Sequence, residues 1–198
     1  LISKLSYAEY LFLLATGELP DKSQADLLNR GLIAFSSPGC RHPAVRAAVA
    51  AGVGKTVPCN VLPSALLVMS GDDDGAGALI DAMRFFSDSL IKEPDQISEL
   101  PNGTFGLEYG SPSIWFDRVC DAVIDDCHAP TLRWGRDFIQ RMRNQQRVVG
   151  WRFSGLVAAL FCDLGIEKRY GPGLMQAMVS ASLVVQGMEN AHRSPTIL

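Results

Sequence analysis

Short helix-forming segments, separated by glycine and proline, run along nearly the whole 198-residue sequence. The first begins at Ser6, which is followed three residues later by Glu9. This spacing is typical of a capping box, in which the serine and glutamate side chains each accept a backbone N–H. Gly17 then predicts the end of the helix, and Pro20 prevents its continuation. A chain punctuated in this way favours a packed set of short helices over a sheet.

The spacing of apolar residues stays nearer 3.6 than 2 along the chain, which indicates helices and gives no convincing strand. A second helix is predicted after Asp21, and turn-forming residues follow it at 36–43. The helix predicted at 44–51 is mostly alanine, so another backbone can pack closely against it. Further helices are predicted at residues 61–69, 76–90, 114–126, 131–145, 153–164 and 174–188. We therefore expect an all-α protein.

A change of composition near the middle of the chain predicts two structural parts. Charged and polar residues cluster between residues 87 and 146, and four prolines interrupt that region. The flanks, 1–86 and 147–198, are rich in Ala, Val and Leu. We expect the flanks to form one large helical domain and residues 87–146 to form a small inserted helical lobe.

Composition and charge exclude several classes of protein. The net charge of -3 provides no electrostatic footprint for nucleic acid. No run approaches the roughly 20 apolar residues of a membrane-spanning helix, and residues 1–14 lack a secretory pattern. The five cysteines form no CxxC pair, so we expect buried thiols in place of a zinc site or disulfides. The sequence favours a cytoplasmic protein with no nucleic-acid, membrane or metal partner.

Two stretches of the sequence each fix several distinctive positions. Residues 5–20 read LSYAEYLFLLATGELP. Residues 155–165 read GLVAALFCDLG, and the next helix ends with VVQGME at 184–189. These stretches resemble the opening helix and the late helices of the citryl-CoA lyase and citrate synthase superfamily. The resemblance implies an all-helical fold with a large domain, a small inserted domain and a dimer that packs antiparallel helices from both subunits.

The chemistry of that superfamily requires particular polar groups. Removing a proton from the α-carbon of an acyl-CoA needs a base, donors for the enolate oxygen, and cations for the carboxylates of the partner acid. Members of the superfamily use an Asp as the base, two His as donors, and several Arg or His as anion ligands. Each of these groups has a matching position in this sequence.

Most of those positions hold a different residue here. Asp74 stands where the resemblance places the enolate-stabilising His, Leu107 where it places the second His, and Ser154 where it places the base. The anion-binding positions fall at Pro38, Val179 and Gln186. An ionised carboxylate at residue 74 would repel an enolate instead of donating to it. Ordinary citrate chemistry is therefore not expected.

The polar residues that remain define a different candidate site. The predicted catalytic residues are Asp74, Ser154 and Glu108, and the predicted substrate-binding residues are His42, Tyr109, Arg152 and Gln186. The Asp72-Asp73-Asp74 run leaves three interpretations open: a Mg²⁺ or Ca²⁺ site, an acid or base with a raised pKa, or an acidic helix N-terminus. We favour the last, because the helix dipole stabilises acidic residues there.

Other charged or reactive residues can be interpreted either as solvated side chains or as site residues. Cys40 and His42 lie beside the position of Pro38 and can serve a site, but a solvated loop is the favoured interpretation. A run of arginines can meet CoA phosphates, although a solvated helix face is favoured. The run consists of Arg133, Arg136, Arg141, Arg143 and Arg147.

Two functional classes are consistent with these observations. In the first, which we favour narrowly, a cleft between the lobes binds an acyl-CoA or another small anionic acyl compound. The chemistry there is altered, as an acyl-CoA-dependent C–C lyase or acyltransferase-like activity with no further cofactor. In the second, the chain is a non-catalytic homologue that works as a homodimer or as a subunit of a hetero-complex.

Overall fold

The structure is a computed structural model that describes residues 3–89, 97, 100–108 and 110–194. Helices dominate this part of the chain, so the prediction of an all-α fold is confirmed. They are α1 (Tyr7–Thr16), α2 (Lys22–Ala34), α3 (Pro43–Val53), α4 (Val61–Met69), α5 (Leu79–Ser89), α6 (Ile114–Ile124), α7 (Pro130–Asn144), α8 (Phe153–Asp163) and α9 (Gly171–Glu189). Three-residue 3₁₀ turns, Pro58–Asn60, Ala76–Ala78 and Lys168–Tyr170, precede α4, α5 and α9.

The first helix forms for the reason that the sequence indicates. The Ser6 side chain accepts the Glu9 N–H at 3.3 Å, and the Glu9 carboxylate accepts the Ser6 N–H at 2.7 Å. Gly17 ends α1 with a φ of 80°, the left-handed conformation that glycine adopts without strain. A second capping box, from Asp21 to Gln24, begins α2. Local hydrogen bonding thus fixes both helix starts.

A short antiparallel strand pair is the main departure from the predicted secondary structure. β1 (Phe105–Gly106) pairs with β2 (Gly150–Trp151), with Phe105 opposite Trp151. The expectation of no strand is wrong here because two-residue strands are too short to leave an alternating pattern. The pair joins the segment before α6 to the segment before α8, and so holds two loops of the candidate site together.

Helix α8 occupies the centre of the core. Its residues from Phe153 to Phe161 are all buried. A helix that is apolar on every side is covered by neighbours on every side, and α5 and α7 pack against α8. An aromatic cluster fills the adjacent space, with ring centroids 4.9 Å apart for Phe105 and Trp151 and 5.3 Å apart for Trp134 and Phe138.

Helices α3, α4 and α9 form a second closely packed group. A side chain on Gly52 of α3 would meet the backbone of Gly187 in α9. The close approach predicted for the alanine-rich helix is therefore present. The buried core runs through residues from both predicted parts of the chain, and the division into a large domain and an inserted lobe stays a prediction.

Two further expectations concern the burial of the cysteines and membrane-spanning helices. Cys120 and Cys127 are buried, Cys162 is half-buried, and Cys40 and Cys59 are exposed, so the prediction of buried thiols is wrong for those two. None of the helices in the described ranges combines the length and the apolar composition that crossing a bilayer requires.

Candidate functional site

Asp74 and Ser154 are 80 residues apart in sequence and in direct contact in the fold. Asp74 Oδ1 accepts the backbone N–H of Ser154 at 2.9 Å and lies 3.0 Å from its hydroxyl oxygen. Asp74 is 7% exposed and Ser154 is fully buried. The two positions that the resemblance assigns to an enolate donor and a base are therefore one contact pair.

The loop that carries Asp74 is shaped by close backbone packing. Asp74 itself has a φ of 63°, a left-handed conformation that Asp tolerates better than most residues. A side chain on Gly75 or Gly77 would collide with backbone oxygens of residues 69–71. This packing directs the Asp74 side chain to the first turn of α8, where backbone N–H groups lack partners within the helix. An acidic cap at the start of α5, the favoured interpretation, is wrong for Asp74.

Burial raises the pKa of the Asp74 carboxyl, and this effect outweighs the opposing charge of Arg152 and the hydrogen bonds from Ser154. Burial penalises the charged form of an acid. A proton on Oδ2 keeps the hydrogen bond that Oδ1 accepts from the Ser154 N–H. The carboxylate that was expected to repel an enolate is therefore in a setting that favours a neutral hydrogen-bond donor.

Ser154 is held from a second direction by a residue that the sequence analysis missed. Its hydroxyl lies 2.8 Å from the carbonyl oxygen of Gly103. Gly103 has a φ of 80°, and a side chain there would collide with the Ser154 hydroxyl. The Asn102-Gly103 dipeptide is a turn signal that could have indicated this position. Ser154 is thus a buried tether for Asp74.

Arg152 lies at the start of α8 with its guanidinium bound on two sides. Nη1 donates to the Leu107 carbonyl at 2.9 Å, and Nη2 donates to Asp73 Oδ1 at 2.8 Å. Nε is 3.4 Å from Asp74 Oδ2 and, within the described residues, has no hydrogen-bond partner. The Arg152 side chain is 18% exposed and Asp73 is 86% exposed. Asp73 was not among the predicted site residues and was considered only as part of the acidic run.

His42 is buried, and not the solvated loop residue that was favoured. Its Nδ1 accepts the Ala44 N–H at 3.1 Å and caps α3, while Nε2 is 3.1 Å from the Asp74 carbonyl oxygen. Because Nδ1 accepts, the proton is on Nε2, which donates to that carbonyl. His42 therefore positions the Asp74 loop as a neutral imidazole.

These side chains surround a cavity of about 250 Å³. Its walls are His42, Pro43, Asp73, Asp74, Glu108 and Arg152. The backbone N–H and carbonyl of Glu108 both bond to Ser111, at 2.8 and 3.2 Å. Four of the seven predicted site residues thus line one cavity. Its volume is just below the range of about 300–1,000 Å³ usual for small-molecule sites.

The other predicted site residues lie elsewhere. Ser154 is behind the cavity wall. Gln186 in α9 donates to the Ser37 hydroxyl at 3.3 Å and does not line the cavity. Tyr109 is outside the described residues. The described part of the chain contains no group of three or more His, Cys, Asp or Glu side chains placed to hold a metal ion.

Two arginines of the run, Arg133 and Arg143, bind to other parts of the chain. Arg133 donates to the carbonyls of Ile124 and Cys127 at 2.6 and 2.9 Å. Arg143 donates to the Val149 carbonyl at 3.0 Å and pairs with Asp117 at 2.9 Å. These contacts differ from the favoured interpretation of a solvated helix face for Arg133 and Arg143, whereas Arg141 and Arg147 are exposed.

Comparison with known proteins links this architecture to one group of solved structures. No family model and no curated protein matches the sequence. The fold is similar to citryl-CoA lyase from Hydrogenobacter thermophilus, with a TM-score of 0.74 and 21% identity over 98% of this chain and 79% of the lyase.

Two further solved structures have a similar fold. ATP citrate lyase from Methanosaeta concilii, in complex with (3S)-citryl-CoA, has a TM-score of 0.74 and 16% identity over 99% of this chain and 37% of that one. Citrate synthase from Thermoplasma acidophilum has a TM-score of 0.60 and 17% identity over 94% and 52%. The chain has the helical fold of the citrate synthase and citryl-CoA lyase superfamily.

Proposed function

We propose that this chain is a citrate synthase-like, citryl-CoA lyase-like protein that binds an acyl-CoA or a small acyl compound in the cavity beside Asp74. There it performs proton-transfer chemistry that differs from that of citrate enzymes. The contact of Asp74 with Ser154 carries the proposal, because it engages one oxygen of a buried carboxyl that lines the cavity and whose pKa is raised by burial. The fold neighbours, which include structures with citryl-CoA and with citrate and coenzyme A, support the substrate class.

Three of the wall residues have a role in the proposed step. The Glu108 carboxylate takes a proton from the α-carbon of a thioester, and the C–H electron pair moves into the thioester carbonyl. Asp74 Oδ2–H donates to the oxygen that becomes negative, the role that His has in the superfamily. Arg152 holds an anionic end of the substrate. The protonated Glu108 exchanges its proton with solvent and then returns a proton to the α-carbon. This regenerates the thioester, so the step balances without a cofactor.

Ser154 and His42 act as positioning residues in this scheme. Ser154 occupies Asp74 Oδ1, so that Oδ2 is the oxygen available to substrate. His42 holds the carbonyl of the same residue. Neither side chain needs to change its protonation state during the reaction.

Exchange of the α-protons of acetyl-CoA in D₂O, followed by NMR, tests the proposal. Wild-type protein is expected to catalyse exchange, and Glu108→Gln to reduce the rate by about 100-fold or more because the base is lost. Asp74→Ala removes the donor and lowers the rate by about 100-fold. Asp74→Asn keeps an N–H donor at the same place and retains more of the rate than Asp74→Ala.

Asp81→Asn serves as the matched control. Asp81 is an exposed carboxylate paired with Arg84, so its loss changes the net charge equally without touching the cavity. Exchange that is absent in the wild type, or that is unchanged in Glu108→Gln, would contradict the proposed chemistry.

A second candidate is a non-catalytic subunit, most simply of a homodimer. One observation favours it, because polar groups that are already bonded are less available to a substrate. The side chains concerned bond to one another or to backbone, and they are those of Asp74, Ser154, His42 and Arg152. Helices α4 and α9 also leave apolar side chains exposed, namely Leu67, Val68, Val185 and Met188. Light scattering is expected to give a dimer that Leu67→Glu weakens. A stable dimer without thioester exchange would favour this candidate, whereas a monomer would count against it.

A further inference from the structure

The cavity wall carries a single cation among the described residues that line it. Arg152 faces three carboxyl groups, those of Asp73, Asp74 and Glu108. His42 adds no charge, because its Nδ1 accepts a backbone N–H and its only ring proton is on Nε2. Of the anion-binding positions that the resemblance assigns, Pro38 and Val179 carry no donor side chain and Gln186 is bound to Ser37. The site therefore has one anchor for an anionic group.

The contacts of Arg152 leave one side of its guanidinium open to exchange. Nη1 is fixed by the Leu107 carbonyl, which is backbone and stays in place. Nη2 is paired with Asp73, whose side chain is 86% exposed and therefore easily released into water. A ligand carboxylate can take the place of Asp73 on Nη2 without moving the guanidinium. The displaced Asp73 carboxylate then remains at the cavity rim without its cation.

The geometry points to a small zwitterion, with one carboxylate and one ammonium group, as the compound bound beside Arg152. The carboxylate binds Arg152 Nη2, and the ammonium group takes the released Asp73 as its partner. This inference rests on the proposed function, since it names the class of acyl compound that the same cavity takes. It leaves Glu108 free for the proton transfer described above.

A dicarboxylate fits this wall poorly. Its first carboxylate binds Arg152, but its second finds no second cation among the lining residues and shares the wall with the carboxylates of Asp73 and Glu108. These like charges repel, and low salt strengthens the repulsion because fewer mobile ions screen it. The residues thus select against the charge pattern of citrate.

Binding of three compounds of matched chain length tests the inference: 4-aminobutyrate, butyrate and succinate, titrated calorimetrically at pH 7 and low salt. We expect 4-aminobutyrate to bind about tenfold or more tightly than succinate, with butyrate between them. Asp73→Asn is expected to invert this order, since it frees Nη2 for anions and removes the ammonium partner. Asp72→Asn makes the same change of charge at a neighbour that does not line the cavity, and it should preserve the order.

The outcomes separate this inference from the proposed function. Equal or tighter binding of succinate by the wild type, or an order unaffected by Asp73→Asn, overturns the zwitterion. Failure of all three compounds to bind, with acetyl-CoA exchange intact, also overturns it and leaves the proton transfer standing. Selective binding of 4-aminobutyrate without exchange supports the inference and removes the proposed chemistry.

Discussion

A carboxyl group lies at each end of α8, buried in Asp74 and half-buried in Asp163, and the two groups make different contacts. At the N-terminal end, Asp74 accepts from Ser154 with Oδ1, and its Oδ2 is 3.4 Å from Arg152 Nε. At the C-terminal end, Asp163 uses both oxygens, accepting the N–H groups of Thr131 at 2.6 Å and Leu132 at 3.1 Å. Asp163 thereby caps α7, whose own N-cap residue, Ala129, has no side-chain acceptor.

The effect of burial on the pKa does not distinguish the two carboxyl groups. Burial raises the pKa of Asp74 and also that of Asp163, where hydrogen bonds from Thr131 and Leu132 oppose it. The difference is geometric, because Asp163 has no oxygen to spare and Asp74 has one beside a cavity. A raised pKa therefore marks a functional carboxyl only when a free oxygen faces space that a ligand can fill.

The largest expected effect comes from the backbone contact at the N-terminal end of α8. In Gly155→Ala, the new methyl group would overlap the Thr104 carbonyl, and the segment carrying β1 must shift. Overpacking at such a site is expected to lower the free energy of unfolding by about 3 kcal/mol. Urea denaturation measures the loss.

Gly173→Ala in α9 is the matched control. Among the described residues, no atom beyond its chain neighbours and its own helix backbone lies within 4 Å of the position that its methyl group would take. In a helix this change is expected to stabilise the protein by about 0.5 kcal/mol. A Gly155→Ala variant as stable as Gly173→Ala would show that the two segments at this end of α8 are not packed as described.

The C-terminal end is expected to give the next largest effect. Asp163→Ala leaves the N–H groups of Thr131 and Leu132 without an acceptor at the start of α7. We expect the free energy of unfolding to fall by about 2 kcal/mol. Asp137→Ala removes an exposed carboxylate from α7 itself and should change the free energy of unfolding by less than about 0.5 kcal/mol. Equal losses in the two variants would contradict the capping role.

Most helices could be predicted from the sequence because local features determine them. The α1 capping box, the Gly17 stop and the bounds of α4 follow from neighbouring residues and from apolar periodicity. The start of α5 could not be predicted in this way. Residues 76–78 fit a helix pattern, but packing of Gly75 and Gly77 against the preceding turn produces a 3₁₀ turn before Leu79.

The candidate site was only partly predictable, because its contacts join distant segments. The resemblance identified Asp74 and Ser154 as equivalent to functional positions, and residue chemistry identified Arg152 and His42. The hydrogen bond between Asp74 and Ser154, the pairing of Arg152 with Asp73 and the role of the Gly103 carbonyl depend on tertiary packing. No local pattern carries that information.

The last and smallest expected effect has the opposite sign to that at Asp163. The amide in Asp74→Asn resembles the neutral carboxyl, with its oxygen accepting from Ser154 and its nitrogen in place of Oδ2. In the unfolded chain Asp74 titrates near its ordinary pKa of 3.8, whereas burial raises the pKa in the folded protein. The folded state therefore binds a proton that the unfolded state has lost.

Wild-type stability must then fall as pH rises from 3.8 towards the folded pKa, by up to about 1.4 kcal/mol per pH unit. The Asn variant has no such loss, so it should be more stable than the wild type by about 1 kcal/mol or more at pH 7. The two should converge near pH 4. Urea denaturation at pH 4, 5, 6 and 7 measures the gap. A gap that narrows as pH rises would mean that Arg152 holds Asp74 ionised, which would remove the neutral donor from the cavity.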